Sequence, residues 1–199
     1  AMIVGLMVFI PSSGVHMQFV FLDGVWGEKR DTLLTGIPKV EGIYTNKENA
    51  ELFLDLAAYA KQQDFAGREV ILYGEVPGLS YLLDMPTAIS TAWPDLDSFR
   101  LVQFEQDMEK VELKCANEAE RYSESGAERR EEEALQNRPV VIVSSAIAAY
   151  RSEDAEAYQW FGVDTEELDA DEKLAVLLQF LDEYGYEETF CNMRYAVYQ

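Results

Sequence analysis

Apolar residues recur along this chain in two rhythms, and the changes of rhythm mark out the elements. Short apolar runs bounded by Gly, Pro, Asn or Asp read as strands: Phe19–Leu22, Glu69–Tyr73, Thr87–Trp93 and Val140–Val143. A terminal pair, Tyr186–Cys191 and Arg194–Tyr198, turns at Asn192 and Met193. Spacings of three and four read as helix faces. Ala50, Phe53, Leu54, Ala57 and Ala60 form one stripe, and Leu174, Leu177, Leu178 and Leu181 another. The longest runs through Leu101, Phe104, Met108, Val111, Cys115, Ala119 and Tyr122. Leu79–Leu83 is a short apolar helix after a Gly/Pro turn at 74–78. Val25–Lys39 reads as irregular or as a hairpin, and Val40–Tyr44 as a brief extended piece.

The ends of these elements carry their own signals. Thr45 and Glu48 have the spacing of a capping box, and Gly67 closes the connection to the next strand. Asp97 or Ser98 can cap the long helix, and Asp171 caps the last one, with Gly185 at its C′ position. Tyr158, Trp160 and Phe161 are the packing anchors of the acidic stretch 153–171. The order predicts an α/β fold: a three-layer α/β/α sandwich with a mostly parallel sheet and an antiparallel C-terminal edge hairpin. Its first crossover runs from Tyr44 through the 50–60 helix to Glu69. Residues 19–199 read as a single α/β domain. Residues 1–18 read as an apolar lead-in, either a first strand or the end of a membrane helix, and about 114–138 as a solvated, charged helical insertion.

Composition narrows the partners. A net charge of -21 repels nucleic acid and anionic headgroups, so neither is a partner of this domain. Two cysteines are too few for a disulfide framework, and Cys115 on an apolar stripe reads as a buried thiol. His16, the one histidine, has no acid–serine pattern near it and reads as a surface residue. Zinc spacing is absent, and no cofactor is indicated. The apolar residues 1–10 are shorter than the ~20 that span a bilayer and lack a basic leader. Ala1 before Met2 reads as a cloning scar on a fragment.

Candidate chemistry collects at the carboxyl ends of the strands, where ligands bind in open α/β sheets. Asp95-Leu-Asp97 has the D-x-D form that can share a hard cation, although a helix cap is its simpler role. Tyr73–Gly78 lies where a phosphate meets backbone N–H groups. It matches neither G-x-G-x-x-G nor a P-loop, so a tight turn is favoured. Ser144 and Ser145 end a strand without a G-x-S-x-G elbow or a base. Tyr73, Tyr81, Trp93 and Tyr150 are expected to line an aromatic cleft suited to sugars or peptides. The candidate ligand-binding set is Tyr73, Glu75, Tyr81, Trp93, Asp95, Asp97, Ser144 and Ser145, with no catalytic and no metal-ligating residue.

Four pieces carry a resemblance: Phe19–Asp23; Gly42–Thr45 with its helix; Pro77–Leu82 with Ser90–Trp93; and Tyr186–Tyr198. In this order they resemble multi-pass bacterial membrane proteins of the glycosyltransferase type, similar to the dolichyl-phosphate-mannose protein mannosyltransferase class. The resemblance implies a soluble C-terminal domain on the extracytoplasmic face of the cell membrane, tethered through N-terminal membrane helices outside this sequence. It carries over no catalytic residue, because the family's catalytic carboxylate lies near its first membrane helices. The expectation is a non-catalytic accessory domain that recognises a glycan or cell-envelope partner. The alternative is a free-standing small-molecule or nucleotide-sugar binding domain or enzyme, with its site at the C-terminal ends of strands 69–73 and 140–143. A third reading has the 101–122 helix as a dimerisation face. The sequence leaves the oligomeric state open.

Overall fold

The computed structural model describes residues 30–74, 76–123, 137–152, 155–161 and 163–199. The predicted lead-in, the strand at Phe19–Leu22, His16, Glu75, and residues 124–136 of the charged insertion lie outside these residues, as do the side chains of Ala119 and Tyr122. The chain divides into two compact units, Ala1–Asp55 and Leu56–Gln199, where the apolar pattern reads 19–199 as one domain.

In the first unit, β1 (Thr32–Leu33) pairs antiparallel with β2 (Tyr44–Thr45) around a 3-10 turn at Pro38–Val40. The Leu34 amide donates to the Ile43 carbonyl at 2.9 Å, so this ribbon closes on itself. β2 belongs to the ribbon and not to the main sheet, so the predicted crossover from Tyr44 to Glu69 is not made. Helix α1 (Lys47–Gln62) crosses the boundary between the units. Its cap is Asn46 and not Thr45, which is taken up by β2: Asn46 Oδ1 accepts the Asn49 amide at 2.7 Å. The buried face is Ala50, Phe53, Leu56 and Ala60, while Leu54 and Ala57 are only half-buried.

The second unit is built on a four-stranded sheet in the order β3-β4-β6-β5, comprising β3 (Val70–Tyr73), β4 (Val140–Ser144), β5 (Glu188–Cys191) and β6 (Tyr195–Tyr198). β3 and β4 are parallel, with Tyr73 opposite Val143. β4 pairs antiparallel with β6, and β6 antiparallel with β5. The fold is therefore a mixture of helices with a mixed sheet, parallel in one of its three pairings. The predicted terminal hairpin is present, with β5 at the edge and β6 inside.

Around the sheet run α2 (Leu79–Leu82), α3 (Leu101–Ser123), α4 (Ser145–Ser152), α5 (Ala155–Phe161), α6 (Thr165–Ala170) and α7 (Glu172–Glu183). Alternate strand residues Ile71, Tyr73, Val141, Val143, Ala196 and Tyr198 share a core with α3 and α7. α3 contributes Phe104, Met108, Val111 and Cys115; α7 contributes Leu174, Leu177, Phe180 and Leu181. The intervening Val70, Leu72, Val140, Ile142 and Val197 are also buried, which is why these strands read as unbroken apolar runs. Asp171 caps α7 as predicted, its Oδ1 accepting the Lys173 and Leu174 amides at 3.0 and 3.1 Å. Gly185, at φ 65°, closes the far end, and the Tyr186 amide reaches back to the Leu181 carbonyl at 2.8 Å. Trp160 is no packing anchor, since 77% of it is exposed.

Thr87–Trp93 does not form a strand. Val70 donates to the Pro86 carbonyl and accepts from the Ala88 amide, giving one isolated parallel bridge at Thr87. Three residues later the chain leaves the edge, because the Ser90 amide and hydroxyl both donate to the carboxylate of Asp107 on α3. A charged acceptor makes stronger hydrogen bonds than a ladder carbonyl.

Candidate functional site

Residues 83–100 run from α2 to α3 with only that bridge for regular structure. Connections of this length without secondary structure are uncommon in compact domains, where they serve as binding loops or as linkers. Its hold on the domain comes from polar side chains. Asp107 is 7% exposed and takes the Ser90 amide at 2.9 Å, the Ser90 hydroxyl and Lys110 Nζ at 2.7 Å. Burial pushes the Asp107 carboxyl up, but the bonds from Lys110 and Ser90 outweigh it and hold its pKa below the ordinary value. At the other end of the loop, Lys173 Nζ donates to the carbonyls of Pro94 at 2.6 Å, Leu96 at 3.0 Å and Phe99 at 3.1 Å. Within the loop, Trp93 donates its amide to Thr91 Oγ1 at 3.0 Å.

This arrangement corrects the cap expected for α3. The helix starts at Leu101, and neither Asp97 nor Ser98 caps it. The Gln103 side chain instead accepts the Arg100 amide at 3.2 Å, the glutamine half of a capping box.

The ends of β3 and β4 lie beside the loop's anchor on α7. Tyr73 is buried, and its hydroxyl donates to Asp171 Oδ2 at 2.6 Å. Burial first, then the bond to Asp171 and the charges of Asp171 and Asp95, raise its pKa far above the ordinary range, so this hydroxyl stays a fixed donor. Next to it Gly74 adopts φ 83°, and a Cβ there would lie 2.6 Å from Ser144 Oγ and 2.7 Å from Ile147 Cδ1. The turn is therefore closed against β4, a close approach that only glycine permits. Ser145 is buried and donates its hydroxyl to the Asn192 carbonyl at 2.6 Å.

The candidate residues thus separate into two groups. Tyr73, Ser144 and Ser145 belong to the packed strand ends, whereas Tyr81, 64% exposed, Trp93, 41% exposed, and Asp97 face outward. Asp95 is half-buried, and Glu75 lies outside the described residues. The four aromatics do not line one cleft. Tyr73 packs against Phe104 with ring centroids 6.0 Å apart, and Tyr150 donates its hydroxyl to Asp169 on α6. Among the described residues, no group of three His, Cys, Asp or Glu is placed to hold a metal, and no helix is long and apolar enough to cross a membrane.

A concavity of about 590 Å³ opens at the opposite ends of β3 and β4 between Gln63, Asp64, Arg68, Glu69, Lys114 and Asn137. The Lys114–Glu69 ion pair at 2.7 Å spans it. Arg68 donates to Gln199 Oε1 and to the Arg138 carbonyl, with its Nε buried and unpartnered. The wall is occupied by its own ion pair and hydrogen bonds.

Three side chains that anchor this region are not singled out by the sequence in these roles: Asp107, Lys173, and Asp171 in its second bond, toward Tyr73. Asp107 leaves one faint signal, a carboxylate flanked by Phe104, Met108 and Val111 on an otherwise apolar face. No family model matches the chain, and no curated protein and no solved structure matches it.

Proposed function

We propose that the second unit is a non-catalytic recognition domain presenting the 86–100 loop to a glycan, as an extracytoplasmic accessory domain of a membrane glycosyltransferase-like protein. One observation carries this reading: Asp107 and Lys173 clamp the loop from within while Trp93, Leu96 and Asp97 stay outward. An exposed aromatic face beside carboxylates suits a sugar, whose C–H face packs on the ring while its hydroxyls bond to the acids. The commitment of the Tyr73 and Ser145 hydroxyls to packing bonds weighs against the alternative of an enzyme at the strand ends. We also read the sheet as the middle of three layers, with α3 and α7 on one face. Residues 56–62 of α1 with Phe65 then cover the other, a reading supported by Tyr59 stacked on Phe190 at 4.9 Å and by the burial of Leu56 and Phe65.

Titration with neutral oligosaccharides, followed by NMR at the Trp93 indole of the parent protein and at the 86–100 backbone amides of both parent and variant, tests the proposal. A saturable shift that vanishes in Trp93→Ala at unchanged Tm supports it. A flat response to every sugar, or a response that survives the substitution, sinks it. The membrane tether has a separate test: the native gene should encode apolar segments of ~20 residues upstream of Met2.

A further inference from the structure

An ammonium group has three N–H donors and no acceptor, and Lys173 uses one on each of three backbone carbonyls, Pro94, Leu96 and Phe99. This use of charge is unusual in a protein of net charge -21, where a lysine has acidic partners in abundance. Asp95 and Asp97 lie in the very segment that Lys173 grips, yet its donors go to the main chain between and beyond them. Three carbonyls converging on one point require the 94–99 segment to curl around that point. The lysine therefore specifies the backbone path of the loop.

The grip is referenced to the sheet. Lys173 lies in the first turn of α7, and its own amide is held by Asp171 Oδ1 at 3.0 Å. The other oxygen of that carboxylate holds the Tyr73 hydroxyl, at the carboxyl end of β3. One helical turn thus fastens the buried strand on one side and the irregular loop on the other. Trp93 directly precedes the first clamped carbonyl, so its placement depends on the same anchor.

We propose that Lys173 is the positioning residue of the recognition loop: its ammonium, seated among the Pro94, Leu96 and Phe99 carbonyls, fixes the conformation in which Trp93 is presented. Arginine cannot replace it, because a planar guanidinium fork does not direct three donors to three converging oxygens. The functional meaning rests on the glycan reading above, but the latch itself is testable without any sugar.

The experiment compares amide hydrogen exchange in the full chain with that in Lys173→Met, Lys173→Arg and Lys173→Ala. Lys173→Met keeps the length and apolar stem and removes every donor. The expected result is exchange at residues 95–100 faster by roughly tenfold or more, the scale of losing charge-assisted hydrogen bonds, with α3 and β4 amides unchanged. Lys173→Arg should also lose protection. In Lys173→Ala, added propylammonium should restore slow exchange at 95–100, which a loss of side-chain packing alone would not allow. Unchanged exchange in Lys173→Met overturns the latch, as does protection in Lys173→Arg equal to that of the parent protein. An unfolded Lys173→Met with a folded Lys173→Ala that propylammonium fails to protect overturns it too. A latch that passes these tests while every sugar leaves the Trp93 indole unmoved refutes the glycan reading and leaves the positioning role standing.

Discussion

Within one unit, β3 has all four side chains buried, whereas the 86–100 loop that follows α2 turns Trp93, Leu96 and Asp97 outward. Apolar contacts spread over many residues hold the strand; the loop hangs on a few charged or polar donors and acceptors, each set by one side chain. In the core, truncating one side chain is felt as a loss of stability by the whole unit. Losing one clamp in the loop frees that segment and leaves the rest in place. Rigidity of the first kind is global, while rigidity of the second kind can be addressed residue by residue.

The largest break in this comparison is expected from Phe104→Ala. Phe104 is fully buried between α3 and the sheet, so a cavity should cost about 3–5 kcal/mol of global stability, measured by denaturant unfolding. Asp107→Ala should cost about 1–3 kcal/mol, because the Ser90 amide and hydroxyl lose their acceptor. Its exchange signature should be confined to residues near Ser90. The pH dependence has a definite sign. The Asp107 pKa is lowered by folding, so its contribution is present above the unfolded carboxyl value, about 4, and is lost as pH falls through the lower folded value. Protection at Ser90 should fade with acid in the parent protein and show no such step in Asp107→Ala.

The smallest effect runs the other way. Burial first, then the neighbouring carboxylates Glu183 and Glu109, raise the Glu112 pKa. Its ionised form therefore opposes folding, and its favourable contribution below the unfolded pKa is lost as pH rises. Glu112→Gln should stabilise the protein by a few tenths of a kcal/mol at neutral pH, a gain that disappears in acid. Thermal melts at two pH values would read it.

The same contrast explains what the sequence made legible. β3 and β4 follow from unbroken apolar runs, because they are buried on both faces. α3 and α7 follow from helical spacing, because one face of each is buried; the terminal hairpin follows from two short runs around Asn192 and Met193. The cap at Asp171 and the turn at Gly185 follow from local chemistry. The 87–93 segment, read as a strand from its apolar character, is an irregular loop because Asp107, 17 residues on from Ser90, captures its backbone. Lys173 reaches back 79 residues to Pro94, and no local pattern announces such a pairing. The candidate set included Trp93, Asp95 and Asp97 but missed the side chains that position them. The error at Asn46 was of a different kind: two adjacent residues both suit a cap, and β2 had already claimed Thr45.

The strand order has a consequence for how the unit assembles. β6 lies between β4 and β5, so residues 195–198 are an interior member of the sheet although they come after every helix of the unit. During synthesis β3 and β4 can meet early through a parallel crossover, but one flank of β4 stays open until β6 emerges. Contacts across such separations close slowly and leave an exposed edge in the meantime. The nascent chain would therefore carry Val141 and Val143 in a half-finished sheet, dependent on chaperones or on speed, until its last four strand residues arrive.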